Sequence, residues 1–186
     1  MIHLRNSKLI LQCNILHFKS MKSFVFIPFL FFTVVLYAQP GRNRSVLQQV
    51  SNKDLVQSVF PEAVKVSKIN DYWFSVVDSK GKTLGYALSS EHFCENIIGY
   101  QAQTPVLIIT SKKLIIKKVA LLSHHETPGY VQILDRNGFF RLWDEKSIVE
   151  AEAVKIDAYS GATMTAKAVN ENVKFLLEKG YKTKPR

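Results

Sequence analysis

Apolar positions recur along the chain with more than one spacing, and each spacing predicts a different element. Between residues 45 and 59, Val46, Leu47, Val50, Leu55, Val56 and Val59 follow a rough helical repeat that Pro61 stops. A first helix is expected there. Residues 72–77 are aromatic and β-branched, Asp78-Ser79-Lys80-Gly81-Lys82 supplies turn residues, and residues 83–88 resume the apolar run. This predicts a hairpin. Residues 97–100 form a short apolar piece; residues 106–110 after Pro105 and residues 114–122 after Ser111-Lys112-Lys113 read as two further paired strands. Beyond the Thr127-Pro128-Gly129 break, a short helix is expected through Leu134, then bulky core material at Phe139, Phe140, Leu142 and Trp143, and a last short strand at 154–156. From Thr163 the period changes again: Ala166, Val169, Val173, Leu176 and Leu177 mark one face of a helix that Gly180 is expected to terminate. The order of helix, strand pairs and helix predicts a single α+β domain, a twisted, largely antiparallel sheet with flanking helices.

The apolar residues are also unevenly distributed, which changes the picture at the N-terminus. Residues 24–37 read FVFIPFLFFTVVLY, without a charge, preceded by Met21-Lys22 and followed by Ala38. That is the plan of a secretory signal peptide. Such a helix covers roughly 21 Å at 1.5 Å per residue, short of a hydrocarbon core of about 30 Å. Two readings stay open, cleavage after Ala38 or an uncleaved N-terminal anchor, and Met21 is an alternative start. Both put the domain outside the cytoplasm, in the periplasm or on the outer face of the cytoplasmic membrane, because Arg5, Lys8, Lys19 and Lys22 precede or open the apolar run with no acidic residue among them. The expected organisation is therefore a leader or anchor at 1–38, an N-terminal helical segment at 39–70, a folded domain at 71–180 and a basic tail at 181–186.

Composition narrows the class of function. The chain has 186 residues, 47% hydrophobic and 22% charged, with 8 Gly and 6 Pro, which excludes a disordered or collagen-like protein. Beyond residue 38 there remain 21 basic residues against 15 acidic ones, a formal charge of +6. These basic residues lie beside strands and at the C-terminus instead of along one helical face with stacking aromatics, so nucleic acid is not an expected partner. The two cysteines, Cys13 and Cys94, make no disulfide framework, and Cys94 with His92 is at best a fragment of a metal site. His124-His125-Glu126 does not amount to a metal site either, since adjacent side chains on a strand point to opposite faces. Cys94, Trp73 and Trp143 read as core residues.

The informative stretch is Asp157-Ala158-Tyr159-Ser160-Gly161-Ala162-Thr163-Met164-Thr165, leading into the last helix. Gly161 and Ala162 let another group approach the backbone closely. The helix start offers N–H groups and a positive dipole end suited to phosphate. Ser160, Thr163 and Thr165 add hydroxyls and Lys167 a nearby positive charge. On these residues alone, an ordinary capped helix start is the favoured reading.

The same nine residues resemble the D-x-x-[ST]-G-A-T-x-[ST] motif of the FMN-binding domain family, which includes the C subunit of sodium-translocating NADH:quinone oxidoreductase, the G subunit of the Rnf complex and NosR-type proteins. Upstream, Gly99-Tyr100 with Thr104-Pro105-Val106, then His125-Glu126-Thr127-Pro128-Gly129, follow in the family's order. The resemblance spans roughly residues 76–177. Ala166 departs from it, standing where a small hydroxyl residue is often seen.

The resemblance implies that Thr165 carries FMN through a phosphoester, attached by a flavin transferase of the ApbE type that uses FAD and Mg²⁺. With no histidine adjacent in sequence to activate a weak aliphatic nucleophile, self-catalysed attachment is not expected. A tether also keeps the cofactor from being lost outside the cell. The resemblance further implies roles for Asp157 and Ser160 in recognition and loop shape, and for Thr163 in binding the phosphate or ribityl chain. Glu126, Thr127 and Gly129 would form a turn under the isoalloxazine, with Tyr100 flanking it. The resulting expectation is an exported electron carrier serving redox partner proteins, in a membrane complex or an extracytoplasmic chain. A flavin-dependent reductase of a small substrate and a non-redox cell-envelope binding module are the alternatives.

Overall fold

The computed structural model describes residues 45–156 and 161–185. The leader and Asp157, Ala158, Tyr159 and Ser160 lie outside the described residues. In chain order the elements are α1 (Asn52–Gln57), β1 (Lys65–Lys68), β2 (Trp73–Val77), β3 (Thr83–Ser89), β4 (Val106–Ser111), β5 (Ile116–Leu121), α2 (Pro128–Arg136), a 3₁₀ turn (Phe139–Arg141), α3 (Ile148–Glu152) and α4 (Thr163–Lys182). The five strands form one antiparallel meander in sequence order. The α+β expectation holds.

Strand alternation sorts side chains between two cores. Along β4, Val106 and Ile108 face the larger core with Trp73, Leu88, Ile116, Val119 and the buried stripe of α4, whereas Leu107 and Ile109 face a smaller one with Val56, Val76 and Ala87. All four are buried, as a strand covered on both faces requires. The α4 stripe runs Ala166, Val169, Val173, Leu176, Leu177, the helical repeat seen in the sequence. Trp73, Trp143 and Cys94 are core residues.

Four expectations fail. Only Asn52–Gln57 of the expected 45–59 helix is helical, with Ser51 as its N-cap. Upstream the backbone is drawn away, because the Gln48 N–H donates to the His124 carbonyl at 2.6 Å and the His124 N–H donates back at 3.1 Å. Residues 154–156 form no strand. Gly180 does not end the last helix, which continues to Lys182. A Cβ at Gly180 would collide with Leu88 Cδ2, and the Gly180 carbonyl accepts the Trp73 indole N–H at 3.0 Å, so the position is a crossing point of α4 over the sheet. Finally, β1 pairs with β2, so the sheet begins before residue 71.

At Gly85 the β3 backbone passes close under β4. A Cβ there would run into the Thr110 carbonyl oxygen and lie 2.6 Å from the Phe60 ring. Gly85→Ala is expected to lower stability by about 1–3 kcal/mol, the usual penalty of overpacking. An unchanged denaturation midpoint in guanidinium would show that the two strands separate freely.

Candidate functional site

Three stretches far apart in sequence meet at the first turn of α4. The first is the tight turn after Gly99, closed by the Gly99 N–H to the Ala102 carbonyl at 2.8 Å and by the pairing of Ile98 with Gln103. The second is the segment from His124 to Pro128, between β5 and α2. The third is Gly161 to Thr165. Gly161 has φ +83°, a conformation that favours glycine, with nothing nearer to its missing Cβ than 3.7 Å. Conformation, not space, requires glycine here.

Glu126 joins them. Its side chain is fully buried, and its carboxylate accepts the Tyr100 N–H at 3.1 Å through Oε2 and the Gln101 N–H at 2.9 Å through Oε1. The Thr165 hydroxyl, also fully buried, donates to Oε2. A buried carboxylate without partners would cost several kcal/mol, and these donors are what make its burial tolerable. Gly99 is explained by the same contact, since a Cβ there would lie 2.6 Å from Glu126 Oε1 and 2.7 Å from Thr104 Cγ2.

Two further residues hold this arrangement in place. The Glu126 N–H donates to His124 Nδ1 at 3.1 Å, so the neutral imidazole carries its proton on Nε2. Burial lowers the His124 pKa below its ordinary value, with Glu126 opposing and His125 adding to that effect. Asn172, fully buried on α4, donates to the Thr104 carbonyl at 3.0 Å and to the Ala168 carbonyl at 3.1 Å, tying the helix to the start of β4. Motif reading misses Asn172, although the sequence does mark it: it is the polar residue on an otherwise apolar stripe.

Beside Thr165 lies an open cavity of ≈ 200 Å³, walled by Tyr100, Tyr130, Gly161, Ala162, Thr163, Met164 and Thr165. Tyr100 and Tyr130 meet edge to face, 5.0 Å between ring centres and 82° between planes. Tyr100 is 49% and Met164 57% exposed, so the rim of the cavity is at the surface. The cavity is smaller than the 300 Å³ or more typical of sites enclosing a whole cofactor. A cavity of this size would have room for a phosphate group and part of an adjoining chain. Helix N–H groups, small residues at Gly161 and Ala162, and two threonine hydroxyls suit the phosphate end of FMN.

The sequence-predicted residues divide accordingly. Tyr100, Gly161, Ala162, Thr163 and Thr165 come together at the cavity; Asp157 and Ser160 lie outside the described residues. Glu126 belongs to the site, but it is turned inward against Thr165 and is not a wall of the cavity. Glu126-Thr127-Pro128-Gly129 is not a free turn. Thr127 is the N-cap of α2, Pro128 opens the helix, and Gly129 stands in its first turn, where a Cβ would meet nothing within 4 Å. Lys167 is exposed on α4 and does not line the cavity. Among the described residues no cluster of three potential metal ligands occurs.

Two outcomes check this geometry. Gly99→Ala is expected to push the Glu126 carboxylate off its donors and destabilise the fold by about 1–3 kcal/mol. In an amide NMR spectrum the Tyr100 and Gln101 signals should shift, and signals that stay put would show that the carboxylate has not yielded. For His124, the unfolded chain binds the proton more readily than the folded one, so its contribution to stability is present above the unfolded value near 6.5 and is lost as pH falls. Thermal midpoints between pH 7.5 and 5.5 should therefore drop more for the natural protein than for His124→Asn, and equal slopes would contradict this.

Residues 99–178 match the model of the FMN-binding domain family. The chain is 28% identical over 140 residues to the G subunit of the proton-translocating ferredoxin:NAD(+) oxidoreductase complex of Clostridium ljungdahlii, covering 70% of this chain and 71% of that one. A crystal structure of NqrC from Shewanella oneidensis aligns with 20% identity and a TM-score of 0.40 over 69% of this chain and 72% of that one. The matched residues run from the glycine that makes room for Glu126 to Glu178, in the last part of the helix that carries Thr165. Residues 99–178 belong to the FMN-binding domain family.

Proposed function

We propose that this chain is an exported electron carrier in which FMN is joined through its phosphate to Thr165 Oγ1, serving a membrane-associated or extracytoplasmic redox chain. The observation that carries the reading is the position of Thr165. It is the third residue of a 20-residue helix, it borders the small cavity, and it closes the motif that resembles the family's attachment sequence. The likeness to one component of a ferredoxin:NAD(+) oxidoreductase complex supports a role among redox partners.

Bound FMN supplies one- and two-electron chemistry, which connects two-electron donors with one-electron acceptors. The chain's own residues bind and orient it. The first turn of α4 directs its N–H groups and its positive dipole end toward a phosphate. Thr163 offers a hydroxyl beside Thr165, and Tyr100 and Tyr130 present aromatic surface at the rim. A phosphoester makes retention independent of the modest area such a cavity can bury. Attachment is assigned to a separate flavin transferase of the ApbE type, acting with FAD and Mg²⁺ after export through the apolar leader.

Co-expression of the full chain with such a transferase is expected to yield protein heavier by one FMN less one water, with flavin fluorescence that survives denaturing electrophoresis. Thr165→Ala should abolish both signals and Thr165→Ser should keep them. A labelled Thr165→Ala protein would place the attachment elsewhere.

A further inference from the structure

We infer that Glu126 is the proton acceptor for the attachment reaction at Thr165 and keeps that proton once the phosphoester has formed. This rests on the covalent reading above. Its starting point is an arrangement that sequence spacing does not reveal: the acceptor hydroxyl already donates to a carboxylate 39 residues away, and both side chains are fully buried. Thr165 thus borders Glu126 on one side and the cavity, through which a phosphate reaches it, on another.

An aliphatic hydroxyl attacks phosphorus effectively only when its proton has somewhere to go. Here the Thr165 oxygen attacks the flavin-side phosphorus of FAD and a new P–O bond forms. The bond from that phosphorus to the bridging oxygen breaks, AMP departs with the electron pair, and the hydroxyl proton passes to Glu126 Oε2. FAD carries two negative charges on its pyrophosphate and Glu126 one; afterwards AMP carries two, the phosphodiester one, and Glu126 none. Charge balances without an added acid or base.

The retained proton follows from the burial. An ionised Glu126 next to the new phosphodiester would put two like charges in a water-poor site, a repulsion that the retained proton removes. Protonated, Glu126 instead has a hydrogen to donate to a phosphate oxygen. Among the described residues, the groups bonded to Glu126 are the Tyr100, Gln101 and Ala102 N–H groups from the 99–102 turn, Thr165 from α4, and His124, which accepts the Glu126 N–H. His124 is kept neutral by its burial and its acceptor role, so among the described residues it supplies no cation to compensate for the second charge.

The test uses the full chain with purified transferase, FAD and Mg²⁺, and reads the rate of mass increase. Glu126→Gln should slow attachment on the order of 10²-fold or more, the usual contribution of a positioned base. Its rate relative to the natural protein should climb as pH rises from 6.5 to 9, as hydroxide replaces the missing carboxylate. A Glu126→Gln protein that folds and is labelled at the natural rate would overturn the inference, assigning the base to the transferase. Because Glu126 also holds the 99–102 turn, a second measurement on the natural protein avoids the folding risk. An infrared difference spectrum taken across attachment at pH 7, with ¹³C-glutamate to identify the residue type, should show one glutamic carboxyl gaining a proton. Its absence would equally overturn the inference. Failure of the underlying reading looks different: Thr165→Ala would then carry the label, whatever Glu126 does.

Discussion

The buried carboxylate of Glu126 is the constraint on which the site depends. A charge removed from water must be met by donors, and this chain meets it from a turn 25 residues upstream and a helix 39 residues downstream. Much else at the site serves that need. Gly99 lacks a side chain because the carboxylate lies where its Cβ would be. His124 takes the Glu126 N–H, and its own backbone is fastened by Gln48. Asn172 holds α4 against Thr104, keeping the helix start within reach.

Burial and accessibility are in tension at Thr165. The hydroxyl is covered, yet a cavity ends on the same residue and its rim stands at the surface. The arrangement protects a polar contact that the fold needs while leaving only a short displacement between that contact and an arriving phosphate. The small volume of the cavity then becomes intelligible. On the proposed phosphoester linkage, the site has no need to enclose the whole of its cofactor.

What the sequence made legible was what local spacing encodes. The β2–β3 and β4–β5 pairs and the apolar stripe of α4 follow directly from period and turn residues. Residues 45–50 misled because Val46 and Leu47, apolar and helically spaced, are 64% and 44% exposed, while the segment is held by backbone pairing to His124. β1 was invisible since Lys65-Val66-Ser67-Lys68 is an exposed edge strand with no buried face to imprint a pattern. Gly180 looked like a helix stop and is a packing requirement set by Leu88 and Trp73. At the site, Thr165 and its neighbours were legible as a motif. The inward turn of Glu126 was not, because nothing in the residues around 126 announces a partner on a helix 39 residues away.

The meander joins each strand to its neighbour in the chain, whereas the site joins stretches separated by two dozen residues or more. Closing short loops costs less entropy than closing long ones. Sheet and site therefore differ in cooperativity with the rest of the chain. Opening the first turn of α4 breaks the Thr165–Glu126 contact and no strand-to-strand hydrogen bond, so on the proposed attachment a transferase has one helical turn to unseat and no strand.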